Sequence, residues 1–287
     1  SAEQPPTIGI FTPVSRAECT VMRELFTLWK DTRMILLVAV VAAVYAAVLL
    51  PFKVFTILPG LTEIRPANVF PVIFSLMFGP AAAWGAAIGN LIGDIFGGTF
   101  GPGSLGGFVG NFFFGLVGYK IWGNLRGISS GSVPDFRSET ARQLIEYIII
   151  AVAAAAVCAA IIAWWVDFLG LVPFAVIGPI IITNNAIAAI ILGPPLLYLT
   201  YPRIARMGLL YTDIMPEEDI DSAGGAAGIG ALVLVVVPLV WLAVGVYAGF
   251  TPESVTQAAI GAVLFVITVI GAYLARDRMS QSTTRTL

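Results

Sequence analysis

Eight stretches of this chain are too apolar to rest in water: about 34–51, 66–78, 80–97, 104–123, 143–166, 172–200, 228–249 and 255–275. A hydrocarbon core about 30 Å thick takes roughly 20 helical residues to cross. Lipid offers no partner to backbone N–H and C=O groups, so only helices and closed barrels span it, and runs of this length select helices. Of 287 residues 58% are hydrophobic and 11% charged, against roughly 25% charged in a soluble domain. The chain therefore reads as an all-α polytopic membrane protein. The run 66–78 is short and ends at Gly79-Pro80, a tight-turn dipeptide; a span of that length crosses among neighbours or in a thinned bilayer.

Charge placement orients the runs. With the N-terminus in the cytoplasm, thirteen of the fifteen Lys and Arg residues fall on inner segments, and only Lys53 and Arg65 fall outside. That positive-inside bias predicts an even number of spans, with both termini cytoplasmic, in a multi-pass protein of the cell membrane. The segment 207–225 holds Asp213, Glu217, Glu218, Asp219 and Asp221. The expected organisation is an N-terminal cytoplasmic segment (1–33), a six-span solute-binding unit (34–200), an acidic cytoplasmic linker (201–227), a two-span hairpin (228–275) and a cytoplasmic tail (276–287). Residues 1–33 lack the basic-then-apolar pattern of a signal peptide, and a short amphipathic piece at 21–29 fits either a membrane-surface helix or an ordinary lead-in.

Several functions lack their parts. The chain has no histidine, which excludes His-ligated metal sites and His-based triads. Cys19 and Cys158 are far apart, and neither suggests a metal or a structural disulfide. A net charge of −2 argues against a nucleic-acid partner. No GxxxxGK[ST] loop is present, so any ATP hydrolysis comes from partners. Neither a catalytic residue nor a cofactor is expected, and the chain does not read as an enzyme.

What the chain does carry is polar groups inside apolar runs. Asn68, Asn90, Asp94, Asn111, Asn184 and Asn185 lie within spans, where such groups are costly and face a pocket or a partner helix. Asn90 and Asp94 are one turn apart on one helix face. In the orientation above, all six converge on the outer half of the membrane, with Arg65 and Asp167 nearby. Interhelical amide bonding explains any one of these Asn residues; the whole set on one side favours a pocket open to the exterior. Arg65 is a candidate counter-ion for Asp94 or an interfacial anchor. Trp164 and Trp165 fit an aromatic belt or a pocket roof, and Phe112, Phe113 and Phe114 a lipid or core face. Ala39, Ala43 and Ala47 recur every four residues, spacing that admits a close helix from the same bundle or from another protein.

The ordered series Ile64-Arg65-Pro66, Pro71, Phe78-Gly79-Pro80, Gly89-Asn90 with Asp94, Gly110-Asn111, then Asn184-Asn185 and Gly193-Pro194 resembles the substrate-binding S components of energy-coupling factor (ECF) transporters. The resemblance covers about 34–200. It implies a six-helix unit that holds a vitamin-like micronutrient in an outward-facing pocket under a gate loop, here 52–66. It also implies a transmembrane coupling subunit and two cytoplasmic ATPases as partners, docking on Ala39, Ala43 and Ala47. The solute contacts would come from Asn68, Asn90, Asp94, Asn111, Asn184 and Asn185, with Arg65 and Trp164 beside them. Two spans beyond the usual six depart from the pattern. The competing reading is an ion-coupled or solitary secondary transporter of a small polar solute, with Asp94 as the coupling carboxylate. Amides, one carboxylate and nearby tryptophans suit a flat, hydrogen-bonding heterocycle.

Overall fold

A computed structural model describes residues 22–53, 56–58, 62–63, 65–220, 224–248, 250 and 254–275. Its helices are α1 (Glu24–Thr27), α2 (Thr32–Lys53), α3 (Val69–Phe78), α4 (Pro80–Phe96), α5 (Gly103–Ile121), α6 (Thr140–Phe168), α7 (Phe174–Arg206), α8 (Tyr211–Ile214), α9 (Ala227–Tyr247) and α10 (Val255–Leu274). Short 3-10 turns at Leu28–Lys30 and Pro66–Asn68 lead into α2 and α3. A two-stranded antiparallel hairpin, β1 (Thr56–Leu58) and β2 (Thr62–Glu63), adds to the all-helical expectation. Residues 54–55, 59–61 and 64 of the expected gate, 52–66, lie outside the described residues, as do Cys19, Asp221 and the tail 276–287.

Among the described residues, five helical stretches are long and apolar enough to cross a membrane: Thr32–Phe52, Thr140–Phe168, Phe174–Ile214, Ala227–Tyr247 and Val255–Leu274. Helices α3, α4 and α5 are shorter or richer in glycine and sit among them. Helix α2 packs along α4, α4 along α5, α5 along α6 and α6 along α7, while α3 lies between α5 and α7. The α9–α10 hairpin packs on α6 and α7. Alanine makes the middle of α6 thin: Ala153, Ala154, Ala155, Ala156, Ala159 and Ala160 are all fully buried, so neighbours approach from several sides.

The α2–α4 seam uses glycines of α4. A Cβ on Gly89 would lie 2.9 Å from the Ala42 carbonyl oxygen and 3.0 Å from the Tyr45 ring. Ala42 and Ala46 are buried in this seam, which leaves Ala39, Ala43 and Ala47 exposed on the far side of α2.

Helix α7 continues to Arg206 rather than ending near 200, despite Pro179, Pro194, Pro195 and Pro202 within it. Neighbouring helices and side chains let membrane helices tolerate such residues. The segment 21–29 does not lie free along a surface where it is described. Leu25 and Leu28 are buried, and Trp84 Nε1 donates to the Leu25 carbonyl at 2.9 Å. Glu24 pairs with Lys120 of α5 at 2.6 Å. Gly79 turns the chain between α3 and α4 at φ +50°, against the Tyr211 ring of α8. Arg23 meets Asp219 at 3.3 Å. These contacts gather α1, α8, the α3–α4 turn and the end of α5 at one end of the bundle. Phe113 and Phe114 are buried and Phe112 packs edge-on against Trp84, so the phenylalanine run is core.

Candidate solute site

At the opposite end, five helices (α2, α4, α5, α6 and α7) and the 3-10 turn before α3 surround a cavity of about 360 Å³. Each polar group reaches it for a local reason. Pro66 opens the 3-10 turn that carries Asn68, whose N–H bonds to the Arg65 carbonyl at 3.0 Å. Asn90 and Asp94 stand one turn apart on α4, with Asn90 Nδ2 3.4 Å from Asp94 Oδ2. Thr99, in the turn after α4, places Oγ1 3.4 Å from the other Asp94 oxygen. Gly107 of α5 faces this pair: a Cβ there would lie 2.8 Å from Asn90 Nδ2. One turn further along, Asn111 Nδ2 donates back to the Gly107 carbonyl at 2.8 Å. Asn184 and Asn185 enter from α7, and Arg65 completes the polar side with one positive charge against the Asp94 carboxylate.

Tyr45 of α2, which the sequence reading passed over, joins these groups. Its Oη lies 2.9 Å from Asn111 Oδ1 and 3.2 Å from Asn68 Oδ1. Asn68 Nδ2 in turn meets Asn185 Oδ1 at 2.6 Å. Tyr45, Asn68, Asn111 and Asn185 are all buried, so four helical elements share one hydrogen-bonded chain. The signal was available: a tyrosine in the middle of an apolar span needs a partner for its hydroxyl. Gly89 makes room for its ring.

The other side of the cavity is aliphatic, with Ile162 and Val166 from α6 and Ile177, Ile180 and Ile181 from α7. Cys158 sits between the two sides, buried and unpaired.

Three residues expected near the pocket, Trp164, Trp165 and Asp167, are elsewhere. Trp164 does not line the cavity. Its ring packs against Trp241 and Phe265, and its Nε1 donates to the Ala258 carbonyl at 3.2 Å. The hairpin lies on that face of α6, and Gly261 of α10 leaves the space the indole fills. Trp165 donates to the Pro102 carbonyl at 2.9 Å. Asp167 is structural: Oδ1 accepts the Phe174 N–H at 2.9 Å and ties the α6–α7 turn. Among the described residues, no group of three or more His, Cys, Asp or Glu side chains could hold a metal ion.

A helical bundle long and apolar enough for a bilayer, enclosing a polar-lined cavity at one end, is the architecture of a membrane transport protein. Comparison with family models narrows this, because the QueT transporter model matches residues 35–202. That is more than half of the chain, and the chain belongs to the QueT transporter family. It is a multi-pass membrane protein with a small, vitamin-like molecule as its substrate, in agreement with the resemblance to ECF S components. No curated protein and no solved structure matches it.

Proposed function

We propose that this protein is the membrane-embedded binding subunit of an ECF-type transporter. It captures a queuosine precursor from outside and passes it inward with a coupling subunit and cytoplasmic ATPases. The observation that carries the reading is the cavity, where the six polar residues picked out by their presence in apolar runs meet, with Arg65 of the preceding loop, around one space of about 360 Å³. A 7-deazaguanine ring, the base of queuosine, is flat and edged with hydrogen-bonding groups, and both features suit an amide-lined slot with an aliphatic wall.

In this reading all eight apolar runs, the short one that becomes α3 included, span the membrane, both termini are cytoplasmic, and the cavity opens outward toward the segment 52–66. The positive-inside distribution supports that orientation. Residues 34–200 form the binding unit, 201–227 a cytoplasmic linker and 228–275 an added hairpin. The hairpin rests on α6 and α7 and leaves Ala39, Ala43 and Ala47 of α2 exposed for the coupling subunit.

Native mass spectrometry of gently extracted protein tests the reading. It should show one bound small molecule per chain, without ATP or an ion gradient. Protein that emerges empty, and then binds nothing from a panel that includes 7-deazaguanine bases, would overturn it. Ion-dependent uptake by the isolated protein in liposomes would instead support a secondary transporter.

A further inference from the structure

The proton count at the cavity floor decides more than its shape does. Tyr45 Oη carries one hydrogen and faces two amide oxygens, at 2.9 Å on Asn111 and 3.2 Å on Asn68. Asn111 is anchored from outside the cluster, because its Nδ2 donates to the Gly107 carbonyl, which only accepts. Turning that amide over would set two acceptor oxygens against each other. Asn111 therefore keeps its oxygen toward Tyr45 and takes the hydroxyl proton across the shorter contact.

The Tyr45 oxygen then has only lone pairs left for Asn68, and an oxygen facing it there is an acceptor without a donor. An asparagine amide fills the same space either way round, so its hydrogen bonds set its orientation. Turning Asn68 and Asn185 over together removes the conflict and keeps every heavy-atom position. Asn68 then donates to Tyr45 and accepts from Asn185 across the 2.6 Å contact. The amide atom of Asn185 left for the cavity is its oxygen, beside Cys158, whose thiol is a weak donor.

We propose that Tyr45 is a positioning residue that sets the polarity of this chain, so that Asn185 presents an acceptor to the solute and the site selects a planar base by the N–H donors on its inserted edge. The inference rests on the cavity being the solute site. For a 7-deazaguanine the donor edge is the 2-amino group with the adjacent ring N–H. Asp94 adds a second acceptor on the same polar wall, and the isoleucines take the ring faces.

The test compares the full chain, in lipid nanodiscs, for binding of 7-deazaguanine and of 7-deazahypoxanthine, which lacks only the 2-amino group. The wild type should prefer the amino base by about tenfold or more, the effect of leaving a buried acceptor unpaired. Tyr45→Phe should bring the ratio of the two dissociation constants close to one; a purely structural role would weaken both ligands alike and keep the ratio, and that result overturns the proposal. Should Tyr45→Phe not fold, Asn185→Ala, which removes the acceptor, should bring the ratio close to one, and an unchanged preference overturns the proposal. Equal binding of both bases by the wild type overturns the polarity and leaves the solute class standing. Binding of neither overturns the solute class and this inference with it.

Discussion

Glu24 and Lys120 form an ion pair at 2.6 Å although both side chains are buried, and Tyr119 Oη stands 3.3 Å from the same carboxylate oxygen. The pair ties α1 to the end of α5. Removing one partner of a buried pair leaves an uncompensated charge and costs about 3–5 kcal/mol, whereas replacing both by apolar groups is often neutral. Lys120→Met should therefore lower the thermal unfolding midpoint in detergent by several degrees. The double variant Glu24→Leu/Lys120→Met should recover most of the loss. A single variant as stable as the wild type would mean that the pair does not hold α1 in place.

Gly107 has no side chain because Asn90 occupies the space. A Cβ there would lie 2.8 Å from Asn90 Nδ2 and 3.6 Å from Asp94 Oδ2. Gly107→Ala should push the Asn90 amide into the cavity. Alanine also favours the helix by about 1 kcal/mol over glycine, so the fold should persist. The expected outcome is roughly tenfold weaker solute binding, read by calorimetry, with an unfolding midpoint close to the wild-type value. Unchanged affinity would place the solute away from Asn90.

Trp164 separates the cavity from the hairpin as functional regions. Its indole packs on Trp241 and Phe265 and donates to the Ala258 carbonyl. Trp164→Leu removes the ring and the hydrogen bond and should destabilise the protein by about 1–2 kcal/mol, less than truncating a fully buried ring would cost because Trp164 is partly buried. Solute affinity should stay within about twofold in protein that remains folded. A selective loss of binding would return Trp164 to the solute site.

Much of the fold was legible because an apolar run is a local property. The runs at 34–51 and 255–275 reappear as α2 and α10 with ends shifted by a residue or two. The apolar run 172–200 marks the part of α7 that lipid can hold, while the backbone stays helical through Arg203 and Arg206, which apolarity does not report. Asn68, Asn90, Asp94 and Asn111 were conspicuous as polar residues among apolar ones. Tyr45 was not, because its ring matches its apolar surroundings and its one polar group is the hydroxyl that meets Asn68 and Asn111. The aliphatic wall looks like any other isoleucine in a membrane helix. Two alanine rows on α2 share the same four-residue spacing, Ala42 with Ala46 and Ala39 with Ala43 and Ala47. Which row is buried depends on the glycines of α4, a long-range fact that spacing does not contain. The same is true of Trp164, whose direction is set by a hairpin nearly a hundred residues further along.

Ala43 gives the sharpest test of coupling. Its neighbour Ala42 is buried against α4 and Tyr45 faces the cavity floor, whereas Ala43 is exposed between Ala39 and Ala47. Because Ala43 is exposed, Ala43→Leu should leave the unfolding midpoint and solute affinity unchanged. Against a helix that packs closely on small residues, the added isobutyl group prevents approach, and overpacking costs about 1–3 kcal/mol or more. In the proposed complex, co-purification with the coupling subunit should fall by at least about tenfold, and uptake by cells should fall with it. Ala42→Leu makes the contrast: it crowds the α2–α4 seam and should destabilise the isolated protein. Full co-purification of a folded Ala43→Leu variant would remove this face of α2 from the docking surface.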